Sequence, residues 1–438
     1  MTMPSGSFDS DCAVAETTTE TAYRKVFWRI VPFLMLCYVV GYLDRVNVGF
    51  AKLQMSHELG FSGAVYGLGA GIFFIGYFFF EVPSNMILHR VGARVWIARI
   101  MVTWGLVSAC FVFVTGAKMF YALRFLLGVA EAGFYPGIIL YISTWFPPHR
   151  RGKAITIFIS AIPISSLIGN PLSGLLMHSL NGYAGLAGWQ WVFLLEAAPA
   201  ILLGIVVFVY LDNNVETTKW LSPAEKLAIQ QDWSTTAQKA EQPKSPVFAV
   251  LRDARVWRMG FIYFCFVMGS VAMNFWMPSL VKAAGVKGAF HIGLVSAIPF
   301  LVAIITMHTF GRSADYFGER RWHVVIPAVL AAIGFVGAAS ATGIVPTILF
   351  LSIGAAGAVT SVAIFWCLPT AFLTGATAAA GIALTNSVGN LAGFVSPFMI
   401  GVLEDMTGSA HDGMYVLAVV VLIGAAVVLT VPPKLVNR

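Results

Sequence analysis

Twelve stretches of this chain are apolar over the length needed to cross a bilayer, about 20 residues. They cover approximately 26–51, 64–88, 95–115, 119–145, 154–177, 190–211, 256–281, 290–310, 322–342, 345–368, 377–403 and 413–432. Of the 438 residues, 58% are hydrophobic and 11% charged, against about 25% charged in soluble domains. Mean hydropathy is +0.81. The expected fold is therefore an all-α polytopic membrane protein with twelve transmembrane helices. The division between the tenth and eleventh, around Pro369 to Ala376, is the least marked. Residues 1–22 are polar, with Asp9, Asp11, Glu16 and Glu20. They lack the basic stretch and cleavage site of a signal peptide. A disordered cytoplasmic N-terminus followed by a retained first span is expected.

The longest polar stretch, 212–255, divides the chain into two six-helix bundles, 23–211 and 256–432, with a short tail at 433–438. Within this linker, Ser222-Pro-Ala-Glu225 reads as a helix start: a Ser cap, Pro at the first helical position and Glu at the third. A short surface helix over 222–233 should follow. Lys and Arg in the loops set orientation. With the N-terminus in the cytoplasm, the inner side collects Arg24, Lys25, Arg90, Arg94, Arg150, Arg151, Lys153, Arg312, Arg320, Arg321 and Lys434, besides the basic residues of the linker. The outer side keeps Lys52, Lys118, Lys282 and Lys287. Both termini are expected to be cytoplasmic, in a bacterial inner (plasma) membrane. The net charge of +7 then needs no nucleic-acid partner. The five cysteines, Cys12, Cys37, Cys110, Cys265 and Cys367, show no paired spacing, so neither a disulfide framework nor a metal site is expected.

Four ionisable residues lie inside spans: Asp44 and Arg45 in the first, Arg124 and Glu131 in the fourth. A charge at the bilayer centre costs about 3 kcal/mol or more, so it persists where it faces a protein interior or a wet cavity. Asp44 and Glu131 are read as the only acids well inside the spans. Arg124 and Glu131 are seven apart and share a helix face, roughly 10 Å apart along the axis. Arg45 lies about 100° around its helix from Asp44, so one of the pair can meet a substrate while the other meets the fourth helix. A guanidinium grips a carboxylate with two parallel hydrogen bonds. An anion taking Arg45 or Arg124 deprives Asp44 or Glu131 of its counter-charge, and that acid then takes a proton. Anion and proton binding become coupled, and reciprocally so. The alternative is a fixed ion-pair network holding the first and fourth helices together.

Further candidates line up less sharply. Tyr42 and Tyr77 can donate to a carboxylate or simply pack. Asn386 and Asn390 are four apart and share a face; they bind substrate or bond another helix. Trp366, beside Phe365, would line an aromatic-acid pocket or pack in the core. The aromatic run from Phe73 to Phe80 is read as mostly lipid-facing. His57, His178 and His291 show no metal spacing.

The chain also repeats itself. GRSADYFGERR at 311–321 follows the eighth span, and NMILHRVGARV at 85–95 follows the second. Gly92 aligns with Gly318 and Arg94 with Arg320. Parallel repeats of this kind mark transporters with a site between two bundles near the midplane.

These motifs resemble the major facilitator superfamily. The loop G-x-x-x-D-x-x-G-x-R-R of the second half is similar to its helix-joining motif. The first-half copy departs from it, with Asn85 where Gly is usual and His89 where Asp is usual; Arg90, Gly92 and Arg94 remain. Arg124-x-x-x-Gly128 matches the helix 4 signature. Tyr42-Leu-Asp-Arg-Val-Asn-Val-Gly-Phe50 and the stretch Leu123 to Pro136 resemble the helix 1 and helix 4 signatures of the anion:cation symporters. The similarity covers residues 24–432 and is nearest to bacterial permeases for tartrate, phthalate and hydroxyphenylacetate. It implies proton-carrying roles for Asp44 and Glu131, and substrate carboxylate contacts for Arg45 and Arg124. Asp315, with Arg320 and Arg321, is expected to latch the cytoplasmic side, with Arg90, Gly92 and Arg94 as the weaker copy.

The expected function is proton-coupled uptake of a small organic anion, a hydroxy-dicarboxylate or an aromatic carboxylate, by a monomer that needs no cofactor. A proton-coupled antiporter or exporter is the alternative, although Gly169-Asn-Pro-Leu-Ser-Gly174 lacks the Gly-Pro pair of drug antiporters. No nucleophile–base pair, metal cluster or phosphate loop supports an enzyme. A receptor or scaffold would leave the buried charges purely structural.

Overall fold

The computed structural model describes residues 7–239, 252–373 and 375–437. Its twelve spans are α1 (Thr17–Leu59), α2 (Gly63–Val91), α3 (Ala93–Phe113), α4 (Ala117–Trp145), α5 (Arg151–Ser179), α6 (Gly188–Tyr210), α7 (Ala254–Ala283), α8 (Ala289–Phe317), α9 (Arg321–Ser340), α10 (Ile344–Phe372), α11 (Ala380–Thr407) and α12 (Asp412–Leu429). Each coincides with one of the twelve apolar segments. The chain leaves helix at Leu373, inside the interval expected for the division between α10 and α11.

Two local expectations change. The first helix begins at Ser7, so most of the stretch expected to be disordered is helical. It continues α1 without a break, and Glu20 anchors it by accepting a 2.7 Å bond from Arg150 Nη1. The linker helix runs Pro223–Lys239, longer than expected. Its start is the reciprocal capping pair: Glu225 Oε2 accepts from the Ser222 amide at 2.8 Å, and Ser222 Oγ accepts from the Glu225 amide at 3.3 Å. Lys25 holds Glu225 at 2.5 Å and Arg150 holds Asp232 at 3.3 Å, docking this helix on α1 and the α4–α5 loop. The remainder of the expected linker at 240–251 lies outside the described residues.

α3, α6, α9 and α12 stand outermost. They are largely apolar and leave large side chains exposed, among them Leu202, Ile205, Ile333, Val336, Val419 and Ile423. That pattern suits lipid on one side and protein on the other. The inner helices meet across the two halves along α1–α7, α2–α11 and α5–α8. Small residues let the backbones approach there: a Cβ on Gly174 would stand 2.5 Å from the Ala289 carbonyl oxygen. α4 is broken at Gly133, whose left-handed φ of 84° lies just after Glu131.

Candidate functional site

A cavity of about 500 Å³ opens between the halves. Its walls reach Thr156 near the start of α5, Arg312 and Asp315 near the end of α8, and Cys367 at the end of α10. Those positions lie toward the face that carries both chain termini. The opposite face is closed. There Lys52 Nζ donates to both Glu404 oxygens at 3.1 and 2.8 Å and sits 3.5 Å from the Trp276 ring centroid. Asp405 accepts from the first amides of α2, Gly63 at 2.7 Å and Ala64 at 2.9 Å. An acid at a helix N-terminus satisfies orphan donors and complements the dipole. Deeper in, Tyr66 Oη donates to the Phe275 carbonyl at 3.1 Å and Ser166 Oγ to Asn274 Oδ1 at 2.9 Å, again between the halves.

Arg45 is the cation in the cavity wall nearest this seal. Its Nε donates to Glu131 Oε1 at 2.9 Å, and Nη2 bonds the same oxygen. The guanidinium lies 5.5 Å from the Tyr42 ring, 5.2 Å from Phe73 and 5.3 Å from Tyr77. Aromatic faces attract a guanidinium, and the three rings fix its position. The Glu131 side chain is 3% exposed and that of Arg45 16%, so the pair has one wet edge and one dry one. Anything that reaches Glu131 from the cavity meets Arg45 first. The cavity is otherwise largely aromatic: Tyr38, Phe74, Tyr135, Tyr263 and Trp366 all contribute.

The sequence-based candidates divide accordingly. Tyr42, Tyr77, Asn386, Asn390 and Trp366 line the cavity together with Arg45. Trp366 lies 4.8 Å from Tyr263, while Phe365 behind it is fully buried. The aromatic run in α2 is not mostly lipid-facing. Phe73, Phe74 and Tyr77 are buried, whereas Phe79 and Phe80 are exposed.

Arg124 and Asp44 do not line the cavity. Arg124 is fully buried and donates to the Gly69 and Ala70 carbonyls at 3.1 Å each, tying α4 to α2. Asp44 points away from the cavity, toward α3: its Oδ1 accepts from Ser108 at 2.8 Å and from Asn47 at 3.1 Å. The 100° step between Asp44 and Arg45 thus gives the cavity to Arg45, and Glu131 belongs to Arg45 and not to Asp44.

The expected latch is also rearranged. Asp315 is exposed on the cavity rim and makes no ion pair among the described residues. Arg320 donates to the Cys367 carbonyl at 3.1 Å and Arg321 to the Leu429 carbonyl at 3.2 Å, both within the second half. In the first half, Gly92 closes α2 at φ 93°, and Arg94 reaches the Phe208 carbonyl at 2.5 Å. Arg90 is exposed.

Two further acids lie inside the spans. Glu81 of α2 is 9% exposed and faces Arg45 and Asn390. Glu196 of α6 is 2% exposed and accepts from Ser173 Oγ at 2.6 Å. Each lies inside an apolar run, which was the signal. Asp44 and Glu131 are therefore not the only acids inside the spans, contrary to the expectation from sequence.

Comparison with known proteins places this architecture. Residues 34–397 match the model of the Major Facilitator Superfamily. A Pseudomonas putida protein named "Putative metabolite transport protein NicT" is 47% identical over 424 residues, 96% of each chain. An Agrobacterium vitis "Putative tartrate transporter" is 49% identical over 411 residues, 93% of each. A "Quinolone resistance transporter" of Acinetobacter baumannii is 41% identical, over 94% of this chain and 95% of its own. With twelve spans, two halves and a central cavity, this chain belongs to the Major Facilitator Superfamily and is a multi-pass membrane transporter, not an enzyme.

Proposed function

We propose that this transporter takes up a small organic anion together with protons across the bacterial inner membrane, with both termini in the cytoplasm. The cavity then faces inward. The observation that carries the proposal is the Arg45–Glu131 pair at the cavity wall. Arg45 offers an incoming carboxylate the planar, permanently charged fork that binds it best. Glu131 already occupies that fork. A substrate carboxylate displaces it, and a displaced carboxylate in a dry interior is costly unless it takes a proton. The proton and the anion are thereby bound together and released together. Tyr42 and Tyr77 hold the guanidinium in place, while Asn386, Asn390 and Trp366 meet the remainder of the substrate from the second half. The aromatic walls favour a ring-bearing acid, and the tartrate transporter name of one relative favours a hydroxy-dicarboxylate. Asp315 is proposed to latch the rim in the outward-facing state, together with Arg320 and Arg321, with Arg90, Gly92 and Arg94 as the first-half counterpart. In an inward-facing state the latch is open, in keeping with an Asp315 that makes no ion pair among the described residues.

A second reading is proton-driven export, favoured by the aromatic lining and by the relative named for quinolone resistance. Labelled tartrate and benzoate, tested separately in proteoliposomes with an imposed pH gradient, separate the two. Uptake predicts accumulation beyond that in protein-free vesicles when the interior is alkaline, lost with a protonophore. Accumulation against the reverse gradient would favour export, and no gradient effect on either probe would overturn both.

A further inference from the structure

The hydrogen bonds across the closed face run one way. Lys52 Nζ of α1 donates to Glu404 Oε2 at 2.8 Å. The Gly63 and Ala64 amides at the start of α2 donate to Asp405 at 2.7 and 2.9 Å. Tyr66 Oη of α2 donates to the Phe275 carbonyl, and Ser166 Oγ of α5 to Asn274 Oδ1. Each of these donors stands on the first half and each acceptor on the second. Lys52 is 9% exposed, and its ammonium lies 5.2 Å from the ring centroid of Tyr66 and 3.5 Å from that of Trp276, both fully buried. Ser56 Oγ, one turn beyond Lys52 on α1, and Trp276 Nε1 are buried without a partner. Both can donate, so the closed face holds more donors than it satisfies.

Glu404 and Asp405 are neighbours in sequence, and their carboxylates meet at one place. A Cβ on Gly63 would collide with Glu404 Oε2 and stand 3.0 Å from Asp405 Oδ1. The missing side chain at Gly63 lets both acids reach the first turn of α2. α11 thus lays two carboxylates against an ammonium, two helix-end amides and a neighbouring phenol, all supplied by α1 and α2. Alternating access parts the halves at this face, and the acids then leave with α11. Their donors stay behind. Donors left in a wall of this kind need new acceptors, and the positive end of α2 beside an ammonium favours an anion there. The remaining charged group facing Lys52 is Lys282 of α7. It belongs to the second half, so the departing acids keep a cation on their own side.

We propose that Lys52 and the first turn of α2 form an entry site for a dicarboxylate, whose two seats Glu404 and Asp405 fill in the closed state. The proposal rests on the uptake reading above, which puts the closed face outside, and adds a second anion site to the one at Arg45. One substrate carboxylate takes the Lys52 ammonium, with Tyr66 Oη beside it as a further donor. The other takes the Gly63 and Ala64 amides. Neither Lys52 nor Gly63 lines the cavity, so the site is separate from the Arg45–Glu131 pair. An anion in these seats competes with Glu404 and Asp405. It binds the parted state alone and so shifts the protein toward it. The outer seal is then opened by the cargo it admits.

The test is hydrogen exchange of the amides at 63–66 in the intact protein in lipid nanodiscs. Sodium tartrate, sodium benzoate and sodium chloride are compared at equal ionic strength. Glu404→Gln and Lys52→Met break the same ion pair, so a mere seal predicts the same response from both. The entry site predicts a split. Tartrate at ten times its dissociation constant should slow exchange in Glu404→Gln about tenfold and leave it unchanged in Lys52→Met. Lys52→Arg keeps a cation and should keep the protection. Benzoate has one carboxylate for two seats and should need about tenfold more or higher for the same effect. No protection by tartrate in Glu404→Gln, equal protection in Lys52→Met, or equal protection by benzoate or chloride would overturn the proposal. Exchange does not depend on transport. Protection without gradient-driven vesicle uptake would refute the uptake reading alone, and uptake without protection would refute the entry site alone.

Discussion

The closed face predicts what a single methyl group should do. Gly174 of α5 and Gly293 of α8 meet across the two halves near that face. A Cβ on Gly174 would lie 2.5 Å from the Ala289 carbonyl oxygen, and one on Gly293 2.5 Å from the Asn170 carbonyl oxygen and 3.1 Å from Pro171 Cα. These neighbours are backbone and cannot rotate away. Overpacking of this kind costs about 1–3 kcal/mol. The cost falls on the state in which α5 and α8 touch and is relieved where they part, so the ratio of open to closed at this face should rise about 5- to 150-fold. Gly76 of α2 is the control. Its added Cβ would stand 2.5 Å from the Phe125 carbonyl oxygen, inside the first half, and should lower stability in both states alike. Spin labels at Ser179, the exposed end of α5, and at Lys287, in the exposed loop two residues before α8, report the separation. Gly174→Ala and Gly293→Ala should enlarge the long-distance population, and Gly76→Ala should lower the melting temperature without enlarging it. Identical distance distributions in Gly174→Ala and parent, or an equal shift in Gly76→Ala, would refute the assignment of this seam as a gate.

Arg45→Lys keeps the charge but loses the fork, so anion binding by calorimetry should weaken about tenfold or more; Arg124→Lys, whose partners are backbone carbonyls, should lower the melting temperature and leave affinity nearer that of the parent. Lys52→Met and Glu404→Gln each remove one partner of the closed-face ion pair and should raise the reactivity of a cysteine placed at Asn274 toward a reagent added from that face. The linker helix should release on acidification. The Lys25 ammonium, bonded to Glu225, and the Ser222 amide hold the Glu225 carboxyl below its ordinary range. A depressed acid stabilises docking above its ordinary value of about 4.3 and loses that contribution as pH falls through its lowered value. Hydrogen exchange of 223–234 should therefore rise in acid, and Glu225→Gln should exchange fast at neutral pH as well.

The twelve spans were legible because a bilayer demands about 20 apolar residues per crossing, a signal long enough to survive local irregularity. The linker cap was legible because Ser222 and Glu225 act on each other over three residues. Partner choice between helices was not. Asp44 and Arg45 are adjacent, and sequence leaves open which of them faces the cavity; the rotation of α1 decides it. Arg124 looked like a substrate clamp by position, yet its Nε and Nη2 bond the Gly69 and Ala70 carbonyls and it does not line the cavity. Glu81 and Glu196 were plain in the apolar runs but lay on helices without a recognised motif. Lys52 and Glu404 are 352 residues apart, and each alone resembles an ordinary charge at a helix end. Only the packing of α1 against the second half turns them into a seal.

Proton uptake on substrate binding tests the central claim most directly. Purified protein in weak buffer with a pH indicator is mixed with tartrate or benzoate, whichever binds by calorimetry. Displacement of Glu131 from Arg45 predicts that the parent takes protons from solution as the anion binds, and that Glu131→Gln binds the anion with this part of the uptake lost. Anion binding by the parent without proton uptake, or undiminished uptake in Glu131→Gln, would contradict the coupling of anion and proton at the Arg45–Glu131 pair.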